Sequence, residues 1–244
     1  MKVVLTREKV INRIDNKTYW GHMRMLNIKT LPELLTLQDS VCRHLKQPDL
    51  FVRLSEREWE EILGENGLVI GFEVDGRLWG FSGIVFPGTR EDNLGRDIGL
   101  KEDEILRVGH LETAVVHPAF RGNDLQRKMG YLLIKAAQER EGWEYLLNTV
   151  SPFNYPSILS TISMKMQIID IAEKYEGKLR YIGFRNIRQT DQGVPKNIYW
   201  VETEDLMGQK ELLAKGYRGY DIRKNAAKLQ LAYGLFSTTE EGEN

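Results

Sequence analysis

Cysteine is nearly absent from the 244-residue sequence: Cys42 stands alone. A single thiol excludes an internal disulfide and a thiolate zinc cluster, so no metal is expected at a site of this chain, and it suits a reducing, cytoplasmic compartment. Surplus charge of either sign is lacking too. Thirty-four Lys and Arg stand against 35 Asp and Glu, a formal net charge of −1. Nothing in that balance favours phosphate backbones or anionic lipid, so neither nucleic acid nor a membrane is an expected partner. Long apolar runs are also missing: no stretch approaches the ~18 residues of a spanning helix, and none of signal-peptide length follows Met1-Lys2. No repeat of fixed period and no low-complexity tract occurs, which sets aside solenoids and arrays.

What is present is ordinary for a packed protein, with 41% hydrophobic and 28% charged residues. One domain over residues 1–204 is expected, with a C-terminal extension over 205–244 packing on it and the last residues disordered. Thr30 with Glu33, and Ser55 with Glu58, have the spacing of capping boxes. Leu34, Leu37, Val41 and Leu45 then share one helical face, and Trp59, Ile62 and Leu63 another that Gly64 stops, so two amphipathic helices are expected ahead of any strand. Asp75-Gly76 between two apolar runs predicts a tight hairpin. Residues 88–104 are polar and glycine-bearing and read as a long surface loop.

A strand over 110–116 closes at His117-Pro118. Leu125, Met129, Leu132, Leu133, Ala136 and Ala137 follow the helical period closely. A strand over 143–150, a helix opening near Asn154 and a strand over 179–184 continue an alternation that predicts an α/β fold. Further on, a strand over 197–202, a short helix over 206–214 and a strand over 228–236 are expected.

The chemically informative stretch is Val115-Val116-His117-Pro118-Ala119-Phe120-Arg121-Gly122-Asn123-Asp124-Leu125-Gln126, where a strand ends, turns and launches a helix. Backbone amides at such a launch, aided by the helix dipole, make an anion site. This stretch resembles the acetyl-CoA motif of the GNAT superfamily of N-acetyltransferases, in which Arg-Gly-x-Gly-x-Gly/Ala joins a strand to a long helix. Asn154-Tyr155-Pro156-Ser157 resembles the family's next helix opening, and the likeness in element order runs over roughly residues 20–205.

The resemblance implies a GNAT-like fold with a central mixed sheet flanked by helices, and acetyl transfer from acetyl-CoA to a primary amine, small-molecule or peptide, by direct attack in a ternary complex. It implies that amides around Ala114, Val115 and Val116 hold the pantetheine arm and the thioester oxygen. Arg121, Gly122, Asn123, Asp124, Leu125 and Gln126 would grip the pyrophosphate, and Asn154 and Ser157 would contact CoA.

Glu112, two residues from His110 on the central strand, is the candidate base. Tyr155 or water is the candidate proton donor, because Thr161 stands where many members carry a tyrosine. Asp124 and Gln126 depart from the family's small residues. A carboxylate at position 124 opposes a phosphate there unless Arg121, Arg127 or Lys128 offsets it. Asn123 with Gln126 also reads as a plain capping pair, and His110 and His117 as structural residues. The alternative function is a module that keeps the acyl-CoA fold without turnover. The acidic side chains of 88–104 would suit a cationic acceptor, and 205–236 has three open roles: packing on the sheet, enlarging the acceptor pocket, or forming a homodimer.

Overall fold

The computed structural model describes residues 4–44, 53–189, 193–225 and 228–236. Leu45, expected on a helix face, and the 237–244 tail, expected to be disordered, lie outside them. The chain divides into two compact units, Met1–Trp143 and Glu144–Asn244.

The first unit runs β1 (Val4–Ile11), β2 (Thr18–Met25), a 3-10 turn (Ile28–Thr30), α1 (Leu31–Arg43), α2 (Glu56–Leu63), β3 (Gly67–Val74), β4 (Arg77–Val85), α3 (Leu94–Asp97), α4 (Glu102–Ile105), β5 (Val108–Val116), a 3-10 turn (Pro118–Phe120) and α5 (Leu125–Gln138). Its strands pair antiparallel in the order β1-β2-β3-β4-β5. Two strands therefore precede the helices, against the expectation that none would. The signal was weak because β1 buries only Val10 of its eight residues, so its pattern lacks the apolar-in, polar-out contrast of a half-buried strand. Asp15-Asn16-Lys17 between the two strands is the cue that was available: Asn16 takes φ 55°, and Asp15 accepts from the Lys17 amide and the Tyr19 hydroxyl.

At β3 and β4 the sequence reading holds. Asp75 and Gly76 take φ of 49° and 75°, as a primed hairpin turn requires. All eight residues of β3 are buried, which explains its unbroken apolar run. Its one carboxylate, Glu73, is paired with buried Arg24 and with His22. Ser55 and Glu58 form the expected capping box of α2. The box expected at Thr30 and Glu33 does not form. Thr30 instead closes a box with Asn27 around the 3-10 turn, so its hydroxyl is already used when α1 begins. Trp59 is fully buried edge-to-face on Phe81, and its Nε1–H donates to Gln38 Oε1 at 3.0 Å.

The second unit runs β6 (Tyr145–Val150), α6 (Tyr155–Ser163), β7 (Gln167–Lys174), β8 (Lys178–Asn186), β9 (Pro195–Glu202), α7 (Leu206–Ala214), β10 (Arg218–Asn225) and β11 (Lys228–Phe236). The strands pair antiparallel in the order β6-β8-β7-β10-β11-β9. β7 and β10 were not legible. β7 is a short apolar run that strand and helix share equally, and β10 buries only Gly219 and Ile222. The core of this unit closes on a polar network: Gln209 Oε1 accepts from the hydroxyls of fully buried Tyr181 and Tyr233 at 2.8 and 2.7 Å. The Gln209 amide donates to the carbonyls of Glu202 and Thr203. The fold class is α/β, as expected, and among the described residues no helix is long and apolar enough to cross a membrane.

Candidate active site

β5 carries one more residue than β4 opposite it. Ser82 faces Ala114 and Ile84 faces Leu111, so Glu112 and Thr113 bulge against Gly83. A bulge re-aims side chains and breaks the ladder locally, which is why bulges collect beside functional sites. The Glu112 side chain is 27% exposed, and its Oε1 lies 3.7 Å from His110 Nδ1. His110 is buried, and its Nε2 accepts from the Leu94 amide at 3.0 Å. A ring nitrogen that accepts cannot carry the proton, so Nδ1, the nitrogen nearer Glu112, carries it.

The same contact fastens the 88–104 segment, which folds into α3 and α4 instead of remaining a plain loop. Asn93 ties it further, donating to the carbonyls of Gly88 and Ile105. Its acidic side chains are partly spent inside the unit: Arg90 pairs with Asp92 and Glu61, and Arg96 with Glu102.

Beyond β5, His117 starts the turn, and its Nδ1 accepts from the Ala119 amide at 3.2 Å. Burial holds its pKa below the usual histidine value, with Arg77, His44 and Arg121 adding repulsion. Arg121 donates from Nε to the Val116 carbonyl, and Gly122 takes φ 76°, a left-handed conformation that glycine adopts without strain. Asp124, also left-handed at φ 61°, is the N-cap residue of α5, yet its side chain caps nothing. Its carboxylate pairs with the Arg127 guanidinium.

Asn123 does not form a capping pair with Gln126, because its side chain is bound to Ile11 and Phe120. The first-turn amides of Leu125, Gln126 and Arg127 thus have no side-chain cap among the described residues, the condition under which a helix start receives an anion. Of the three cations able to offset Asp124, Arg127 does so, while Lys128 pairs with Glu8 at 2.6 Å.

No protein-family profile matches the chain, and no curated protein matches it in sequence. Solved structures do. An acetyltransferase of the GNAT family from Streptococcus pneumoniae superposes at a TM-score of 0.54 and 17% identity, over 68% of this chain and 98% of its own. NAA60 of Arabidopsis thaliana, solved with acetyl-CoA, gives 0.56 at 14% identity over 69% and 99%. The ribosomal-protein-S18-alanine N-acetyltransferase of Escherichia coli gives 0.51 at 17% identity over 71% and 98%. The chain has the GNAT acetyltransferase fold. At such identities the likeness carries the fold and leaves the substrate to the site's own residues.

Within this GNAT fold the first unit gathers Glu112, Ala114, Val115, Val116 and Arg121 to Gln126 along one strand, turn and helix start. Val115 is core, and Ala114 and Val116 flank it half-buried. The remaining candidates lie in the second unit. Asn154 caps α6, its Oδ1 accepting from the Ser157 amide at 3.3 Å, and Tyr155 packs half-buried beside Val150 and Ile158. Thr161 is buried and accepts from Asn148 Nδ2 at 2.8 Å, while Asn148 Oδ1 is buried without a partner among the described residues. Arg13, which donates to two carbonyls of the turn, was not foreseen. It lies in the turn after a strand the sequence did not announce, and an exposed arginine has no motif of its own.

Proposed function

We propose that this chain is an N-acetyltransferase that moves the acetyl group of acetyl-CoA to a primary amine, of a small molecule or a peptide, by direct attack within a ternary complex. The observation that carries this reading is the start of α5: amides with no side-chain cap, on a turn whose one carboxylate is paired with Arg127. Those residues fit a pyrophosphate, since Gly122 lets the backbone approach closely and the dipole of a 14-residue helix favours negative charge.

Bound acetyl-CoA supplies an activated acyl thioester. The amides of Leu125, Gln126 and Arg127 would take its pyrophosphate, with Arg121 beside them, and the amides of Ala114 to Val116 its pantetheine arm. Glu112 would accept the proton of the acceptor ammonium through a water molecule, with the Nδ1–H of His110 steadying its carboxylate. The amine nitrogen then bonds to the carbonyl carbon, the carbon–sulfur bond breaks, the nitrogen gives up its second proton to solvent, and the thiolate takes up one from water or from Tyr155, which solvent reprotonates. Asn154 and Ser157, besides closing their own helix, are assigned to the cofactor by the resemblance alone. Residues 1–204 are read as the acetyltransferase domain and 205–244 as its extension.

A second reading, a module that binds acyl-CoA without turnover, is favoured by Thr161, buried and bonded to Asn148 where a proton donor is common in this fold. Calorimetric titration with acetyl-CoA, paired with thiol release over a panel of amines, tests both. Binding with release establishes the enzyme. Binding with no release across the panel favours the module, and absence of binding refutes both.

A further inference from the structure

The first hairpin is laced to the turn on which the acetyltransferase reading rests. The Arg13 amide donates to the Ala119 carbonyl at 2.6 Å, and the Ile11 amide to Asn123 Oδ1 at 2.8 Å. Asn123 Nδ2 returns bonds to the carbonyls of Ile11 and Phe120, both at 2.9 Å. Above them the Arg13 guanidinium spans two successive peptides, Nε donating to the Arg121 carbonyl at 3.1 Å and Nη2 to the Gly122 carbonyl at 3.3 Å. Glu8 of the same strand holds Lys128, one turn into α5.

These bonds have a directional consequence. The peptide groups are planar, and none of the described ones is cis, so a carbonyl and the N–H of the following residue point in opposite directions. Fixing the carbonyls of Arg121 and Gly122 on the guanidinium turns the amides of Gly122 and Asn123 to the opposite face. Neither amide has a hydrogen-bond partner among the described residues. Two adjacent amides turned to one face just ahead of a helix start form a concave donor set suited to phosphate oxygens.

We propose that Arg13 is a positioning residue for the acyl-CoA pyrophosphate. It acts through the turn peptides, with Asn123 as the brace that sets the height of the hairpin against the turn. The fork geometry is essential to that role, because a point charge such as lysine reaches one carbonyl at a time. Gly122 belongs to the same device, since a Cβ there would come within 2.8 Å of Arg13 Nη2. This inference rests on the acetyltransferase reading.

The test is calorimetric affinity of the full chain for acetyl-CoA and for S-acetylpantetheine, which carries the arm without the pyrophosphate, in wild type, Arg13→Ala, Arg13→Gln and Arg13→Lys. Arg13→Ala is expected to weaken acetyl-CoA about tenfold, the scale of two charge-assisted bonds to a site group. Its affinity for S-acetylpantetheine should stay within about twofold. Arg13→Lys at about 0.5 M salt, where long-range attraction is screened, should remain at least about threefold weak. The inference is overturned if Arg13→Ala binds acetyl-CoA like wild type, if lysine restores full affinity, or if both ligands weaken by one factor, which would mark general damage. Arg13→Gln, whose side chain ends near the position of Nε and so cannot span both carbonyls, serves where the alanine variant does not fold, with the same acetyl-CoA criterion. Wild-type protein that binds no acetyl-CoA would overturn the acetyltransferase reading itself, an outcome separate from the other three.

Discussion

Removing the charge of Asp124 should tighten acetyl-CoA binding, and the size of the effect follows from the site. The carboxylate stands at the N-cap of α5 without capping it, and its partner Arg127 shares a surface pair in which the side chains are 43% and 41% exposed. Such a pair contributes only about 0–1 kcal/mol to stability, so losing it barely affects the fold. Asparagine in its place would keep the size of the side chain and tolerate the left-handed backbone. For a phosphate about 6 Å away at an effective dielectric of about 40, one unit charge changes the interaction by ~1.4 kcal/mol, a factor of about ten. At physiological salt, where the Debye length is about 8 Å, screening roughly halves that energy and leaves about threefold. Calorimetry of Asp124→Asn at about 0.01 M and about 0.5 M salt should therefore show a gain of nearly tenfold that shrinks with salt. Arg127→Ala should lose affinity by a similar factor, and the double variant should return close to wild type. If Asp124→Asn leaves the dissociation constant unchanged at low salt, the anion is not at the start of α5.

Glu112→Gln should lower the rate of thiol release by about 10²–10⁴ with acetyl-CoA affinity unchanged within about twofold; equal rates would remove Glu112 as the base. Because burial lowers the pKa of His117 in the fold, the unfolded chain binds more protons just below pH ~6.5. The stability held by neutral His117 is thus present above that pH and is lost as pH falls toward the lowered folded value. Acid unfolding of His117→Gln should lose this component, and a pH–stability curve identical to wild type would contradict the assignment. Gln209→Leu leaves the hydroxyls of Tyr181 and Tyr233 without their acceptor and two carbonyls without a donor. It should cost about 3 kcal/mol in urea unfolding, and a loss below about 1 kcal/mol would mean that the network is not needed. Asn154→Ala should cost about 1 kcal/mol through the lost cap of α6, read as a drop in melting temperature, and an unchanged melting temperature would mean that the cap contributes nothing.

Elements that announce themselves by period or by an obligatory turn residue were legible. α5 has a continuous apolar stripe, and the β3–β4 turn needs positive φ at both Asp75 and Gly76. The elements that escaped share a physical cause. β1 and β10 bury so little that no face is apolar, and they hold their places by pairing, a property of two segments and not of one. Ladder bonds are made by backbone, which every residue carries, so pairing leaves no composition to read. The displaced cap at α1 has another cause. Thr30 matches the box spacing with Glu33 but is taken by Asn27, and the competition between two overlapping boxes is settled by the 3-10 turn between them.

The candidate site divides in the same way. Its motif was visible because a strand end, a glycine turn and a helix start are each written locally, and Asp124 stood out as a charge in the wrong place. What could not be read was the resolution of that anomaly. Asp124 looked like a competitor for the helix amides, yet a left-handed backbone at that residue carries its carboxylate off the amides and onto Arg127, three residues on. Arg13 lies still further from legibility, since it meets the Arg121 carbonyl across 108 residues and, among the described residues, bonds only to backbone. A side chain that works by aiming main-chain groups imposes no residue type on its target. Positioning groups of this kind exist only once the chain has folded, and the affinity of Arg13 variants for a ligand with and without its pyrophosphate is the measurement that separates aim from mere support.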